Sequence, residues 1–373
     1  MTTRYHAEHV GSLLRPPELV EARRARSLLD PRDDRLRELE DRAVLDALDL
    51  QRRAGIEVFT DGEMRRNNWM AGLLEQVGGV VPGPSTDEAV RWHFETGGAP
   101  PVTETHFDTV AVAEKVYRKL NLTSIEAEFL ARHAPGQYKV TMMSSAMGSM
   151  LWGEGISEKA YASPEQLIDD LVGLQVEEIE GLIDQGVDWL QIDSLSYNWI
   201  LDDTVREQLA AGVDAGVILE ASVDIDNRLV RAAKAKNPDV TVAMHFCRGN
   251  NRSAWFAEGS YDPLAEQLFA GTDFDRYLLE YETERAGGFE PLRFVPKGKT
   301  VVLGIVSSKL PELESQDALQ RRVEEASRYV AIEDLAISPQ CGFASTAPGN
   351  LLTLDQEQRK LELVVETARK IWG

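Results

Sequence analysis

Cysteine is scarce in this chain: of 373 residues only Cys247 and Cys341 carry a thiol, too few for a disulfide-stapled scaffold. Long apolar runs are missing too. No stretch reaches the roughly 20 apolar residues that cross a bilayer, and the opening MTTRYHAEHVGS has charges every few positions instead of the apolar core of a signal peptide. A cytoplasmic protein with reduced thiols is expected. Positive charge is short as well: 40 lysines and arginines face 62 acidic residues, and the net charge of −22 argues against nucleic acid or an anionic membrane as partner. Neither internal repeats nor low-complexity tracts occur. These exclusions leave a small-molecule enzyme, compatible with a homo-oligomer.

What is present is a regular alternation. Hydrophobic residues make up 43% of the chain without a compositional break, enough for one large α/β core over residues 1–373. Short apolar runs at Glu8–Leu13, Ile56–Thr60, Tyr138–Met143, Trp189–Ile192, Thr241–Phe246, Tyr277–Leu279, Thr300–Val306 and Leu335–Ile337 read as strands. Amphipathic helices separate them, among them Arg35–Ala54, Pro164–Gln185 and Asp317–Val330. Eight such units predict a (β/α)8 TIM barrel, since strands buried on both faces and joined by right-handed crossovers close most simply that way. The first strand-to-helix turn lacks G-x-G-x-x-G, which weakens a dinucleotide-binding alternative. After the second strand, residues 77–107 are rich in glycine and proline around Trp92 and Phe94, predicting an excursion or hairpin over the barrel mouth. A lid and a plain surface loop both account for it.

Barrel chemistry gathers at the C-terminal ends of strands. The reactive side chains of this chain fall there: Ser12 after strand one, Asp61-Gly62-Glu63 after strand two, Asp193 at the end of strand four, His245 and Cys247 at strand five, Glu280 and Glu282 at strand six, Ser307-Ser308 at strand seven and Cys341 at strand eight. The spacing His245-x-Cys247 puts both side chains on one strand face, because strand side chains alternate with period two. With Cys341 and a strand-six carboxylate they make an N, S, O, S set suited to Zn²⁺. Glu280, which directly follows the buried Leu278-Leu279, is the first choice for that carboxylate; Glu282 and Glu284 are alternatives, and a solvated charge run explains the same residues. Glu63 and Asp193 are candidates for catalysis or for gripping substrate, although a helix start would also account for the acids after strand two. Gly11-Ser12 offers a hydroxyl and approachable backbone N–H groups to an anion, or a simple turn.

Taken together, Ala7-Glu8-His9-Val10-Gly11-Ser12, Thr60-Asp61-Gly62-Glu63, Leu190-Gln191-Ile192-Asp193, Met244-His245-Phe246-Cys247-Arg248-Gly249-Asn250, Leu279-Glu280-Tyr281-Glu282 and Ser338-Pro339-Gln340-Cys341-Gly342-Phe343 resemble the catalytic barrel of the cobalamin-independent methionine synthase superfamily over nearly the whole chain. The resemblance implies Zn²⁺ held by His245, Cys247, Glu280 and Cys341, with a substrate thiol activated there as thiolate. It implies substrate roles for Ser12, Glu63 and Asp193, and methylation of homocysteine, with methyl-folate as the family's donor. Departures from the family pattern bear on the substrates. The length leaves no room for the second, N-terminal barrel of full-length members, Ser194-Leu195-Ser196 replaces the acidic-proline continuation after Asp193, and Ser307-Ser308-Lys309 stands where the family places a catalytic histidine. Ser307 is therefore included among the catalytic candidates. The same zinc chemistry also serves short relatives that open an epoxide with a thiol such as coenzyme M, and barrels that work with a corrinoid carrier.

Overall fold

The structure, a computed structural model, describes residues 4–25, 33–83, 92–94, 110–203 and 214–373. Its strands are β1 Val58–Phe59, β2 Val77–Pro82, β3 Val110–Arg118, β4 Gln137–Tyr138, β5 Val140–Met143, β6 Trp189–Asp193, β7 Thr241–Phe246, β8 Arg276–Glu280, β9 Thr300–Val306 and β10 Leu335–Pro339. From β5 to β10 they form one parallel six-stranded sheet in chain order. Every residue of β6 is buried, as is every residue of β8 and β10, so these strands read as continuous runs because helices cover one sheet face and the interior fills the other.

Two further segments extend the order. β1 pairs in parallel with β4, which leads directly into β5, and Ala7 bridges Ile337 of β10. Seven of the eight strands expected from the sequence are thus present in a mixed α/β fold, and the ladder does not close among the described residues. Glu8–Leu13, expected as strand one, contributes a bridge instead of a ladder. Across that seam Leu13 N donates to Gly62 O at 3.0 Å and Thr60 Oγ1 to Gly11 O at 2.8 Å. The cause is visible in the backbone: Gly11, at φ 151°, departs from a strand conformation. Side chains hold the segment in place, since Lys139 Nζ donates to Glu8 Oε1 at 2.8 Å and Arg276 Nη2 to Glu8 Oε2 at 2.7 Å inside the fold. Removing one member of so buried a set would cost about 3–5 kcal/mol.

The helices begin where capping chemistry permits. Asp33 accepts from Leu36 N to open Asp34–Ala54, which ends at Gly55 with φ 83°, a left-handed conformation that glycine adopts without strain. Thr353 and Gln356 form a reciprocal capping box at the start of Leu354–Trp372. None of the helices among the described residues is long and apolar enough to cross a membrane. The stem of the expected 77–107 excursion is an antiparallel β2–β3 hairpin. Residues 84–91 and 95–109 lie outside the described residues. His93 makes an antiparallel bridge with Trp255, past the end of β7.

Candidate metal centre and substrate cavity

β7 and β10 deliver three metal-type donors to one point. His245, Cys247 and Cys341 are all buried, and their donor atoms lie within 4.8 Å of one another. His245 Nδ1 is 3.2 Å from the Leu278 carbonyl, a bond in which the ring donates, so Nε2 keeps its lone pair. That Nε2 is buried and has no hydrogen-bond partner among the described residues. An orphaned ring nitrogen is costly unless something occupies it. The two sulfurs are 3.5 Å apart, far beyond a disulfide bond and close to the separation of about 3.8 Å that two thiolates adopt on one tetrahedral zinc. One nitrogen and two soft sulfurs, all buried, therefore fit zinc. Without an ion, the contact with the Cys247 sulfur holds the Cys341 thiol well below its ordinary pKa, with help from His245 and Lys309. The same contact and burial push Cys247 well up.

Glu280, expected as the fourth ligand, lies outside this three-donor group. Its Oε2 accepts from Arg248 N at 2.8 Å and its Oε1 from Arg285 Nη2 at 2.7 Å. Burial alone would raise this carboxyl, yet Lys309, Arg285 and Arg248 hold it at about 2, fully ionised at neutral pH. Glu282 stands 3.5 Å from the same Arg285 nitrogen. Glu284 opens a short 3-10 turn, Glu284–Ala286.

Beside the donors is a cavity whose lining includes Ser12, Glu63, Asp193, His245, Cys247 and Cys341. All three residues expected to bind substrate are thus in the wall that carries the donors. Asp193 is pushed up to about 7, by burial first and with the Glu63 charge adding, while His245 opposes the rise. Its Oδ1 accepts from Gln191 Nε2 at 2.8 Å. Glu63 occupies the left-handed region at φ 56°, a strained conformation for a side-chain-bearing residue, anchored where Asp61 Oδ1 accepts from Glu63 N at 2.9 Å. Thr141 Oγ1 donates to Glu63 Oε1 at 2.9 Å, whereas the buried Oε2 has no hydrogen-bond partner among the described residues. Gly342 approaches Ser12 so closely that a Cβ there would sit 1.9 Å from Ser12 Oγ.

Ser307 is not brought into this wall. Its hydroxyl accepts from Lys309 N at 3.1 Å and Leu310 N at 3.2 Å, capping the turn that follows β9. The side chain that turn directs to the centre is Lys309, which sequence reasoning passed over. It is buried, its Nζ has no hydrogen-bond partner among the described residues, and Glu280, Glu282 and Cys341 raise its pKa against the effect of burial. Asn250 was also missed; it lines the cavity and donates to Gly342 O at 2.7 Å.

With the site in view, comparison with known proteins decides the family. Residues 6–370 match the cobalamin-independent synthase catalytic domain. The chain belongs to that family. Uncharacterized protein YxjH of Bacillus subtilis (strain 168) is 36% identical over 375 residues, covering 99% of this chain and 95% of the relative. A methionine synthase of Pyrococcus abyssi (strain GE5 / Orsay) is 23% identical, covering 90% and 85%. Among solved structures, a B12-independent methionine synthase from Shewanella sp. W3-18-1 in complex with selenomethionine superposes with a TM-score of 0.74 at 18% identity, covering 99% of this chain and 98% of that one. This last likeness is one of fold.

Proposed function

We propose that this chain transfers a methyl group to the sulfur of homocysteine at a zinc site built on His245, Cys247 and Cys341, with Glu280 as an exchangeable fourth donor, in a closed (β/α)8 barrel. The observation that supports the reading is the convergence of three donor atoms within 4.8 Å in the same cavity wall as Ser12, Glu63 and Asp193. A free thiol has a pKa of about 8.5, and zinc, when bound, supplies the Lewis acidity that keeps a thiol deprotonated at neutral pH. The chain's own residues do the rest. Glu63 and Asp193 hold the substrate ammonium, Ser12 and the adjoining backbone hold its carboxylate, and the cavity limits access of water. In the transfer the thiol gives up its proton, a sulfur–carbon bond forms, and the donor's bond to methyl breaks with its electron pair leaving on the donor. The donor is methyl-folate or a methyl-corrinoid.

A second reading, thiol alkylation by an epoxide, is favoured by one observation. Where the family histidine is expected, the Ser307 hydroxyl caps a turn outside the cavity lining. The test is product analysis with zinc-loaded protein: L-homocysteine with methyl-tetrahydrofolate or methylcobalamin, and coenzyme M with epoxypropane, each followed by mass spectrometry. Methionine in either methyl arm supports the main reading. A thioether formed in the epoxide arm alone overturns it for the second, and failure to take up zinc sinks both.

A further inference from the structure

We infer that Arg285 is a positioning residue that draws Glu280 off the metal donors, and that it is itself carried by Trp255 on the excursion residue His93. The inference rests on the zinc reading above.

Glu280 ends β8 beside Cys247, yet its carboxylate turns to Arg285 Nη2 at 2.7 Å. This is no loose surface pair: the Arg285 side chain is 5% exposed and that of Glu280 1%. A buried, charge-assisted bond of this kind opposes any movement of Oε1 toward another cation. Arg285 is in turn fixed from outside. Its guanidinium carbon lies 4.6 Å from the Trp255 ring centroid, a cation–π distance, and its carbonyl accepts from Gly259 N at 3.0 Å. Trp255 is stapled to the excursion: His93 N donates to Trp255 O at 2.8 Å, Trp255 N to His93 O at 3.0 Å, and the two rings stack at 4.7 Å. Next to it, Phe256 packs so close over Gly249, at φ 90°, that a Cβ there would fall 2.2 Å from the ring, and Trp92 meets Phe256 edge-on at 5.6 Å. A continuous physical chain therefore runs from the excursion through Trp255 and Arg285 to Glu280. Its effect is a competition: Arg285 and a bound zinc would both attract the Glu280 carboxylate, and the more of it Arg285 takes, the more readily the substrate sulfur would gain access to the metal.

Competition gives the test its signs. In Arg285→Met the carboxylate loses its rival, so zinc affinity, measured against a chromophoric chelator, rises about tenfold, the scale of one charge-assisted hydrogen bond. L-homocysteine affinity of the same zinc-loaded variant, measured by calorimetry, falls by about as much because the thiol must now displace Glu280. Trp255→Leu shifts both quantities in the same directions by less, and it keeps the test available if Arg285→Met fails to fold. Arg285→Lys restores most of the wild-type behaviour, and adding Glu280→Gln to Arg285→Met abolishes the gain in zinc affinity. A merely structural role lowers both affinities together. That result, or unchanged affinities in Arg285→Met and Trp255→Leu, overturns the inference while the zinc reading stands. Wild-type protein that takes up no zinc overturns the functional reading itself.

Discussion

Cys247 Sγ and Cys341 Sγ lie 3.5 Å apart although 94 positions separate the residues in sequence. Between their strands, β7 and β10, the sheet places β8 and β9, so the contact spans the mouth of the fold instead of joining neighbours. Purified protein should carry about one zinc per chain, as expected for a single site. Cys247→Ser and Cys341→Ser should each lose most of it by metal analysis while circular dichroism stays close to wild type, because both sulfurs sit beyond the strand ends. Full metal retention in both variants would remove these sulfurs from the site.

Asp193 and Glu63 share the cavity with the donors without belonging to the three-donor group. Asp193→Asn and Glu63→Gln should therefore retain zinc and lower L-homocysteine affinity at least about tenfold, the scale of one lost charged hydrogen bond. Metal analysis and calorimetry on the same samples separate the two effects. Loss of zinc together with homocysteine would make these carboxylates part of the metal centre.

Much of this was legible in the sequence, for reasons that differ by residue. The apolar runs from Trp189 to Ile337 read correctly as strands because a parallel sheet buried on both faces needs no alternation. The His245-x-Cys247 spacing carried its own geometry, since period two places both on one face. Glu8–Leu13 did not, because Lys139 and Arg276, rather than a ladder, hold Glu8. Nor could sequence order show that Arg285 takes the Glu280 carboxylate, which depends on how the chain after β7 folds back upon Arg248. The strand-seven end misled for a local reason. Ser307 has the expected position, but its hydroxyl is consumed in capping the turn that buries Lys309.

Lys309 puts a positive charge against Glu280, Glu282 and Cys341 in a region closed to water. A zinc site with two cysteine thiolates and an incoming substrate sulfur gathers negative charge, and a fixed buried cation offsets it far better than solvent does there. Lys309→Met should keep its zinc and bind L-homocysteine about tenfold more weakly, a difference readable by calorimetry at constant zinc occupancy. Unchanged homocysteine binding would reduce Lys309 to a structural counter-ion of Glu280.

Away from the site, Glu357 carries an independent pH signature. It is fully buried; Oε1 accepts from Leu14 N at 2.9 Å, and Oε2 has no hydrogen-bond partner among the described residues. Burial outweighs the Leu14 bond and raises the carboxyl from an ordinary 4.5 to about 8. The native state thus retains a proton that the unfolded chain releases above about pH 4.5. Its contribution to stability is fully present below that pH, declines as pH rises toward 8, and levels off beyond. Glu357→Gln is neutral throughout and keeps an oxygen for Leu14 N, so this decline should vanish from it. Thermal unfolding should find variant and wild type nearly equal at about pH 4.5, with the variant ahead by a few degrees in Tm at about pH 8.5. Parallel pH profiles for the two proteins would mean that Glu357 is already ionised in the fold, with a partner that its surroundings do not supply.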